Sequence, residues 1–278
     1  MAGVVVSFRD FGATATNNNL KILVTNDDGV ESPGIVRLAE HLREIGDVTV
    51  VAPDGDRSAI SHRVTFADPV SMIEVAGRAV PTFSCSGTPA DCVVLGAYEA
   101  CGEFPDLLVS GINRGANLGD DINYSGTVAA AIEASIIGIP SIAVSLAIRW
   151  GDEEAHHWET ASALVIRLVH EWRTRLPKTS FLNVNVPNVR EDQVRGIRVT
   201  RQGRKRYEER LHRLPTNGEA ATFRIRGTYD IASAVEGTDL EAIREGYASI
   251  TPVSIDRTDD ALLPLLREEL EAPAPPRS

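Results

Sequence analysis

Thiols are scarce in this sequence: 278 residues carry three cysteines, Cys85, Cys92 and Cys101, with no CxxC pair among them. An odd, widely spaced set excludes a disulfide framework, and a chain this long can stabilise itself without staples. A reducing, cytoplasmic setting is expected. Long apolar runs are missing too. Nowhere do about 18 apolar residues follow one another, so no membrane span is expected. Positive charge is in deficit, with 28 Lys and Arg against 39 Asp and Glu, a formal net charge of -11 and a pI near 5.1. That balance argues against a broad basic surface, and no nucleic-acid polymer is expected as a partner. The sequence also lacks a Gly-x-Ser-x-Gly elbow, which disfavours a serine hydrolase. It has no Gly-Lys-Ser/Thr loop after a strand, which disfavours an ATPase. There is no internal repeat.

What is present suffices for a large core: 43% of residues are hydrophobic and 24% charged, which excludes disorder of the whole chain. Residues 1–19 have no basic start and too short an apolar stretch for a signal peptide. They read as a loose N-terminal extension, or as the product of a start codon set too early. From residue 20 the texture changes. Residues 20–25 (LKILVT) form a short apolar run ending in Asn26-Asp27-Asp28-Gly29, and Ser32-Pro33 opens a helical period through Ile35, Leu38 and Leu42. Residues 47–52 (DVTVVA) and 106–110 (DLLVS) are strands of the same two-sided apolar kind. Thr88-Pro89-Ala90-Asp91 marks a helix start. Residues 126–137 and 158–172 have helical spacing, and 140–145 and 181–186 return as strands.

Alternating strands and helices predict an α/β fold with a doubly wound, mostly parallel, Rossmann-like sheet, and ligands outside the carboxyl ends of its strands. From residue 196 short segments alternate polar with apolar, more like exposed hairpins than buried strands. The expected organisation is a loose segment 1–19, an α/β catalytic core 20–195, and residues 196–278 as a C-terminal β-hairpin arm with a returning strand and helix and a frayed Pro-rich tail.

Polar residues at three strand ends are the candidates for chemistry: Asn26-Asp27-Asp28, Arg57-Ser58, and Ser110-Gly111-Ile112-Asn113. Adjacent carboxylates at one strand tip repel each other, and a hard cation with oxygen ligands relieves that repulsion. Mg²⁺, Mn²⁺ or Ca²⁺ suits such a site better than a thiolate-loving ion. Taken alone, Asp27-Asp28-Gly29 reads first as a turn that caps the next helix, and the convergence of three polar strand ends on one edge turns the reading toward a cation site. Residues 111–119 place three glycines and the amides of Asn113 and Asn117 in one loop, which lets backbone approach a ligand. Ser125-Gly126-Thr127 opens a helix, where free N–H groups favour a phosphate, or serve as an ordinary cap. His62 is either a general acid or a surface residue. The basic residues Arg201, Arg204, Lys205, Arg206, Arg210 and Arg213 read as a solvated or subunit-contact arm.

Taken together, residues 23–34 (LVTNDDGVESPG), 51–58 (VAPDGDRS), 86–92 (SGTPADC), 108–127 (LVSGINRGANLGDDINYSGT) and 244–252 (REGYASITP) resemble, in order, the blocks of the SurE family of 5'/3'-nucleotidases. The resemblance runs from about residue 20 to 252. It implies one divalent cation per subunit, held by Asp27, Asp28, Ser58 and Asn113. It also implies a homodimer or homotetramer built through an exchanged C-terminal arm. The implied activity is metal-dependent hydrolysis of nucleoside 5'-monophosphates, with 3'-monophosphates and short polyphosphate as further substrates. Asp27 or Asp28 would handle the attacking water, and Asn26, Asn117, Ser125, Gly126, Thr127 and His62 would contact the phosphate. One departure stands out: many relatives place glycine near Ser61. The rival expectations are a phosphoaspartyl enzyme and a nucleotide-sensing binding module without turnover.

Overall fold

A computed structural model describes residues 20–148, 155–205, 207–208, 211–215, 221–225, 228–229 and 234–271. The expected loose segment 1–19, residues 272–278 of the tail, and Arg206 and Arg210 lie outside them.

The first strand, β1 (Lys21–Thr25), is buried from its second residue onward because both of its faces are covered. Helix α1 (Pro33–Leu42) begins where the Ser32 hydroxyl accepts the Ile35 N–H, with proline in its first turn. Its buried residues Gly34, Ile35, Leu38, Ala39 and Leu42 follow a helical period. Burying each of the larger aliphatic chains contributes about 1.5–3 kcal/mol. Strand β2 (Asp47–Pro53) follows, then two short strands, β3 (Met72–Glu74) at the sheet's edge and β4 (Thr82–Cys85) between it and β2. These two strands escape the sequence pattern because they are too short to show a period.

Helix α2 (Pro89–Leu95) carries the expected capping box, in which Thr88 accepts the Asp91 N–H and Asp91 accepts the Thr88 N–H. Strand β5 (Leu107–Arg114) runs on past Ser110 through Gly111-Ile112-Asn113, where a loop was expected. It does so by a register shift against β6 between Ser110 and Asn113. Helix α3 (Gly126–Ile136), β6 (Ser141–Ala147), α4 (Trp158–Trp172) and β7 (Ser180–Pro187) complete the alternation.

The strands after residue 196 divide into two groups. Strand β8 (Ile197–Val199) and β13 (Ala248–Ser254) join the main sheet, and Ser249, Ile250 and Thr251 are buried, not exposed as hairpins would be. The alternating hydroxyls that looked solvent-facing are satisfied internally: Thr200 bonds both Ser249 and Thr251 at 2.7 Å. Between them, β9 (Tyr207–Glu208) pairs with β12 (Thr228–Tyr229), and β10 (Leu211–Leu214) pairs with β11 (Thr222–Ile225) in a separate antiparallel hairpin. Helix α5 (Asp239–Arg244) precedes β13 and α6 (Leu263–Leu270) follows it.

The nine-stranded sheet has the order β3-β4-β2-β1-β5-β6-β7-β13-β8. The run from β4 through β7 is parallel; β3 and β13 enter antiparallel. One face packs Ile22, Val24, Val50 and Val109 with α1 and α4; the other packs Leu23, Val51 and Leu108 with α2 and α3. The chain moves from β1 outward to β2 and β4, then returns to β5 on the other side of β1. The carboxyl ends of β1 and β5 are therefore a topological switch point, the expected crevice of an open α/β sheet.

Helix α1 meets β5 closely here. A methyl group at Gly34 would lie 2.2 Å from the Ile112 carbonyl oxygen. Alanine ordinarily favours a helix over glycine by about 1 kcal/mol. At this position Gly34→Ala is expected to destabilise instead, by about 1–3 kcal/mol of overpacking, in reversible urea unfolding. A stabilised variant would show that α1 and β5 do not meet as described.

Candidate functional site at the carboxyl ends of β1 and β5

Three elements converge on the end of β1. Asp27 is 3% exposed, and its Oδ1 accepts the Thr127 hydroxyl at 2.5 Å. The Gly126 and Thr127 amides at the start of α3 also reach its carboxylate. Gly126 must be glycine for this approach, since a methyl there would lie 2.7 Å from the Asp27 Cβ. Burial pushes the Asp27 carboxyl above its ordinary value, against the hydroxyl and amide bonds that favour the charged form.

Asp28 lies on the other side of the same turn, where its Oδ2 accepts the Arg114 N–H of β5 at 2.9 Å. Its carboxyl is pushed up to about 6, first by burial and then by the charges of Asp27 and Asp56, with the Arg114 N–H opposing. Asn26 holds the turn itself: its amide donates to the Gly29 carbonyl and the Ser32 hydroxyl and accepts the Gly29 N–H. A buried amide used three times in this way shapes the loop. It leaves the carboxylates free of that task.

The second loop is joined to the first by Arg57, whose N–H donates to the Asp27 carbonyl at 2.7 Å. Ser58 follows, exposed, with its hydroxyl and its N–H both donating to Asp56 Oδ1 at 2.5 and 2.7 Å. Asp56 was not singled out in the sequence, although Asp-x-Ser is a common local side-chain turn. Asn113 on β5 donates its amide to the Gly115 carbonyl, so its Oδ1 is left as an acceptor. Ser58, Asp28 and Asn113 thus each keep an oxygen lone pair beyond their protein bonds. The donor set is carboxylate, hydroxyl and amide oxygen, which is the chemistry of a hard divalent cation. Among the described residues no cluster of three or more His, Cys, Asp or Glu has metal-holding geometry. A set of two acidic residues with Ser and Asn falls outside such a cluster by composition.

The other expected residues are placed as follows. Ser125 is the N-cap of α3 and accepts the Val128 N–H at 3.1 Å. Gly126 and Thr127 serve Asp27, so a phosphate oxygen reaching this helix end shares its amides with a carboxylate. Asn117 turns inward. Its amide donates to Ser145, its N–H to Asn185, and its carbonyl accepts from Asn183 and Asn185. That buried network ties the loop after β5 to β6 and β7. His62 Nε2 lies 2.8 Å from Glu133 Oε2 on α3. Lys205, expected in a solvated or subunit-contact arm, is buried within the chain and paired with Asp121.

This geometry can be set beside known proteins. Residues 22–209 match the family model described as "Survival protein SurE". The chain belongs to the SurE family. It is 44% identical over 249 residues to a protein named 5'-nucleotidase SurE from Geobacter sulfurreducens, covering 89% of this chain and 93% of the relative. A protein of the same name from Syntrophotalea carbinolica is 46% identical over 241 residues, covering 86% and 92%. The crystal structure of SurE protein from Aquifex aeolicus superposes with a TM-score of 0.79 at 40% identity, covering 90% of this chain and 99% of that one. The structural likeness thus extends beyond the segment that the family model matches.

The charge at Asp28 of this SurE chain has a consequence for stability. An ordinary carboxyl titrates at 3.8 and this one at about 6. The higher folded value favours the protonated form, so stability present below about 4 is lost as pH rises through about 6, at most about 3 kcal/mol. Asp28→Asn is therefore expected to melt several degrees higher than wild type at pH 7.5 in EDTA, with little gain at pH 4. A variant that melts lower at both pH values would remove the charge repulsion from this account.

Proposed function

We infer that this chain is a 5'-nucleotidase, hydrolysing the phosphomonoester bond of nucleoside 5'-monophosphates to nucleoside and phosphate. The carrying observation is the pair of adjacent carboxylates at the sheet's switch point, Asp27 buried and Asp28 half-buried. Asp27 is fixed by α3, and Asp28 is fixed by the Arg114 N–H and keeps a free oxygen. The names of relatives sharing more than 40% identity over nearly the whole chain point the same way. We extend the reading to nucleoside 3'-monophosphates and short polyphosphate.

One divalent cation, Mg²⁺, Mn²⁺ or Ca²⁺, would be held by Asp27, Asp28, Ser58 and Asn113. When bound, such a cation neutralises phosphoryl charge and lowers the pKa of water. This chain's own groups do the rest. Asp28 Oδ1 accepts a proton from the attacking water, with the carboxylate oriented by the Arg114 N–H. The α3 terminus, from Ser125 to Thr127, stabilises the negative charge that builds on the phosphoryl oxygens. Asn26 and Asn117 act through the loops they hold. The formal charge of -11 is compatible with an anionic substrate because the local charge in such a site is the cation's.

The setting is cytoplasmic, in keeping with three free cysteines and with the finding that no described helix is long and apolar enough to cross a membrane. The assembly is a homodimer or homotetramer through the arm, supported by the exposed apolar side chains Leu211, Phe223 and Ile225 on its hairpin.

Phosphate release from nucleoside 5'- and 3'-monophosphates tests the reading. Release is expected to stop in EDTA and to return with Mg²⁺, Mn²⁺ or Ca²⁺. Asp28→Asn is expected to lose at least about 10³-fold in kcat while staying folded. Nucleotide binding without release under any metal would favour the sensing module. A trapped phosphorylated aspartate would favour the phosphoaspartyl route.

A further inference from the structure

Residues 54–66, the loop between β2 and β3, are fastened to three separate elements. Arg57 donates to the Asp27 carbonyl, and Ser61 donates its N–H to the Tyr124 carbonyl at 3.0 Å. His62 meets Glu133 at 2.8 Å on the flank of α3. The Arg63 carbonyl accepts the Thr88 hydroxyl at 2.7 Å, and Thr65 donates its N–H and hydroxyl to Asp91 at 2.9 and 2.7 Å. The backbone needs this fastening. Ala59 and Ser61 both stand in the left-handed region at φ 57°, without being glycine, and such conformations persist only where surroundings over-determine them. Neither residue has glycine's conformational freedom, so this turn relies on its fastenings.

Among these links the His62 and Glu133 pair has a distinct geometry. Glu133 is nearly buried, with a side chain 13% exposed, and lies on the helix whose other end fixes Asp27. Ser58 itself is held by Asp56, inside its own loop. The Ser58 hydroxyl is thus placed relative to Asp27 from two sides, by the Arg57 N–H on the Asp27 carbonyl and by the strained turn with the side chains that pin it to α3.

We propose that Glu133 is a positioning residue. With His62 it forms a latch that ties the far side of the Ser58 loop to α3 and, together with the Arg57 bond to Asp27, sets the spacing between Ser58 and the Asp27-Asp28 pair. This rests on Ser58 and the aspartates sharing one cation, as inferred above. The same geometry gives His62 a structural partner in place of a role as general acid.

Calorimetric titration of Mn²⁺ into the full chain tests the latch, beside hydrogen exchange of residues 57–62. Glu133→Ala and His62→Ala are each expected to weaken Mn²⁺ binding about tenfold, the size typical of groups that orient ligands. The double variant is expected to be no weaker than either single one, because both remove the same link. Glu133→Gln keeps an acceptor for the imidazole and is expected to stay within about threefold of wild type. Exchange in residues 57–62 rises in both alanine variants, and the pH profile of activity at saturating Mn²⁺ keeps its shape. His62→Ala, on an exposed loop, carries the test by itself if Glu133→Ala does not fold. Ser58→Ala separates the two readings. If it weakens Mn²⁺ binding while both latch variants bind as wild type, the latch is wrong. If Ser58→Ala binds Mn²⁺ normally, the shared cation is wrong and the exchange measurement alone decides the latch. Loss of one limb of the pH profile in His62→Ala but not in Glu133→Ala would make His62 a reacting acid and overturn the proposal.

Discussion

The bond from the Thr127 hydroxyl to Asp27, 2.5 Å long, joins two parts of the sequence a hundred residues apart, and the rest of the site is arranged around it. An aspartate at 3% exposure is costly to ionise unless donors meet it. The start of α3 supplies them: a hydroxyl, amides, and the positive end of the helix dipole. For that meeting to occur, α3 must approach β1 closely enough that residue 126 has no room for a side chain. Its body must also be narrow, and Ala129, Ala130, Ala131 and Ala134 are all buried against the sheet.

With Asp27 fixed, Asp28 faces the opposite way and meets the backbone of β5. That strand bends through a register shift before it presents the Arg114 N–H and the Asn113 amide. Gly111 permits the bend, at φ 142° and with space for no methyl group beside the Val144 carbonyl. The irregularity that hid this part of β5 from a periodic reading is thus the feature that turns its polar end toward β1.

Much of this was legible in the sequence for a physical reason. Buried parallel strands are continuous apolar runs, so their polar ends stand out, and Asn26-Asp27-Asp28, Ser58 and Asn113 all appear as interruptions at such ends. The caps at Ser32 and Thr88 were legible because proline and a hydroxyl mark helix starts locally. What was not legible depends on long-range partners. Nothing near Asn117 shows that it will be enclosed by Ser145, Asn183 and Asn185, and nothing near His62 names Glu133. The strand β13 was misjudged because its alternating hydroxyls look solvent-facing until Thr200 is seen to bond both Ser249 and Thr251.

The placement of charge explains why so acidic a chain fits an anionic substrate. Burial raises both aspartates because water no longer screens them, and each protein donor that meets them is a neutral hydroxyl or amide. Lys205 is close by in sequence to the arm's arginines, yet its ammonium is spent on Asp121 below the loop. Among the described residues no lysine or arginine side chain forms an ion pair with either carboxylate, and the Arg114 charge opposes the rise at Asp28 only as the last of its influences. A site completed by a fixed cationic side chain would carry its compensation permanently and gain little from a divalent ion. The divalent cation proposed for this site would supply that compensation, bringing two positive charges and open coordination positions at once. On that reading the electrostatic cost at Asp28 is the reverse side of affinity for the cation, and the large two-sided core is what allows the fold to carry it.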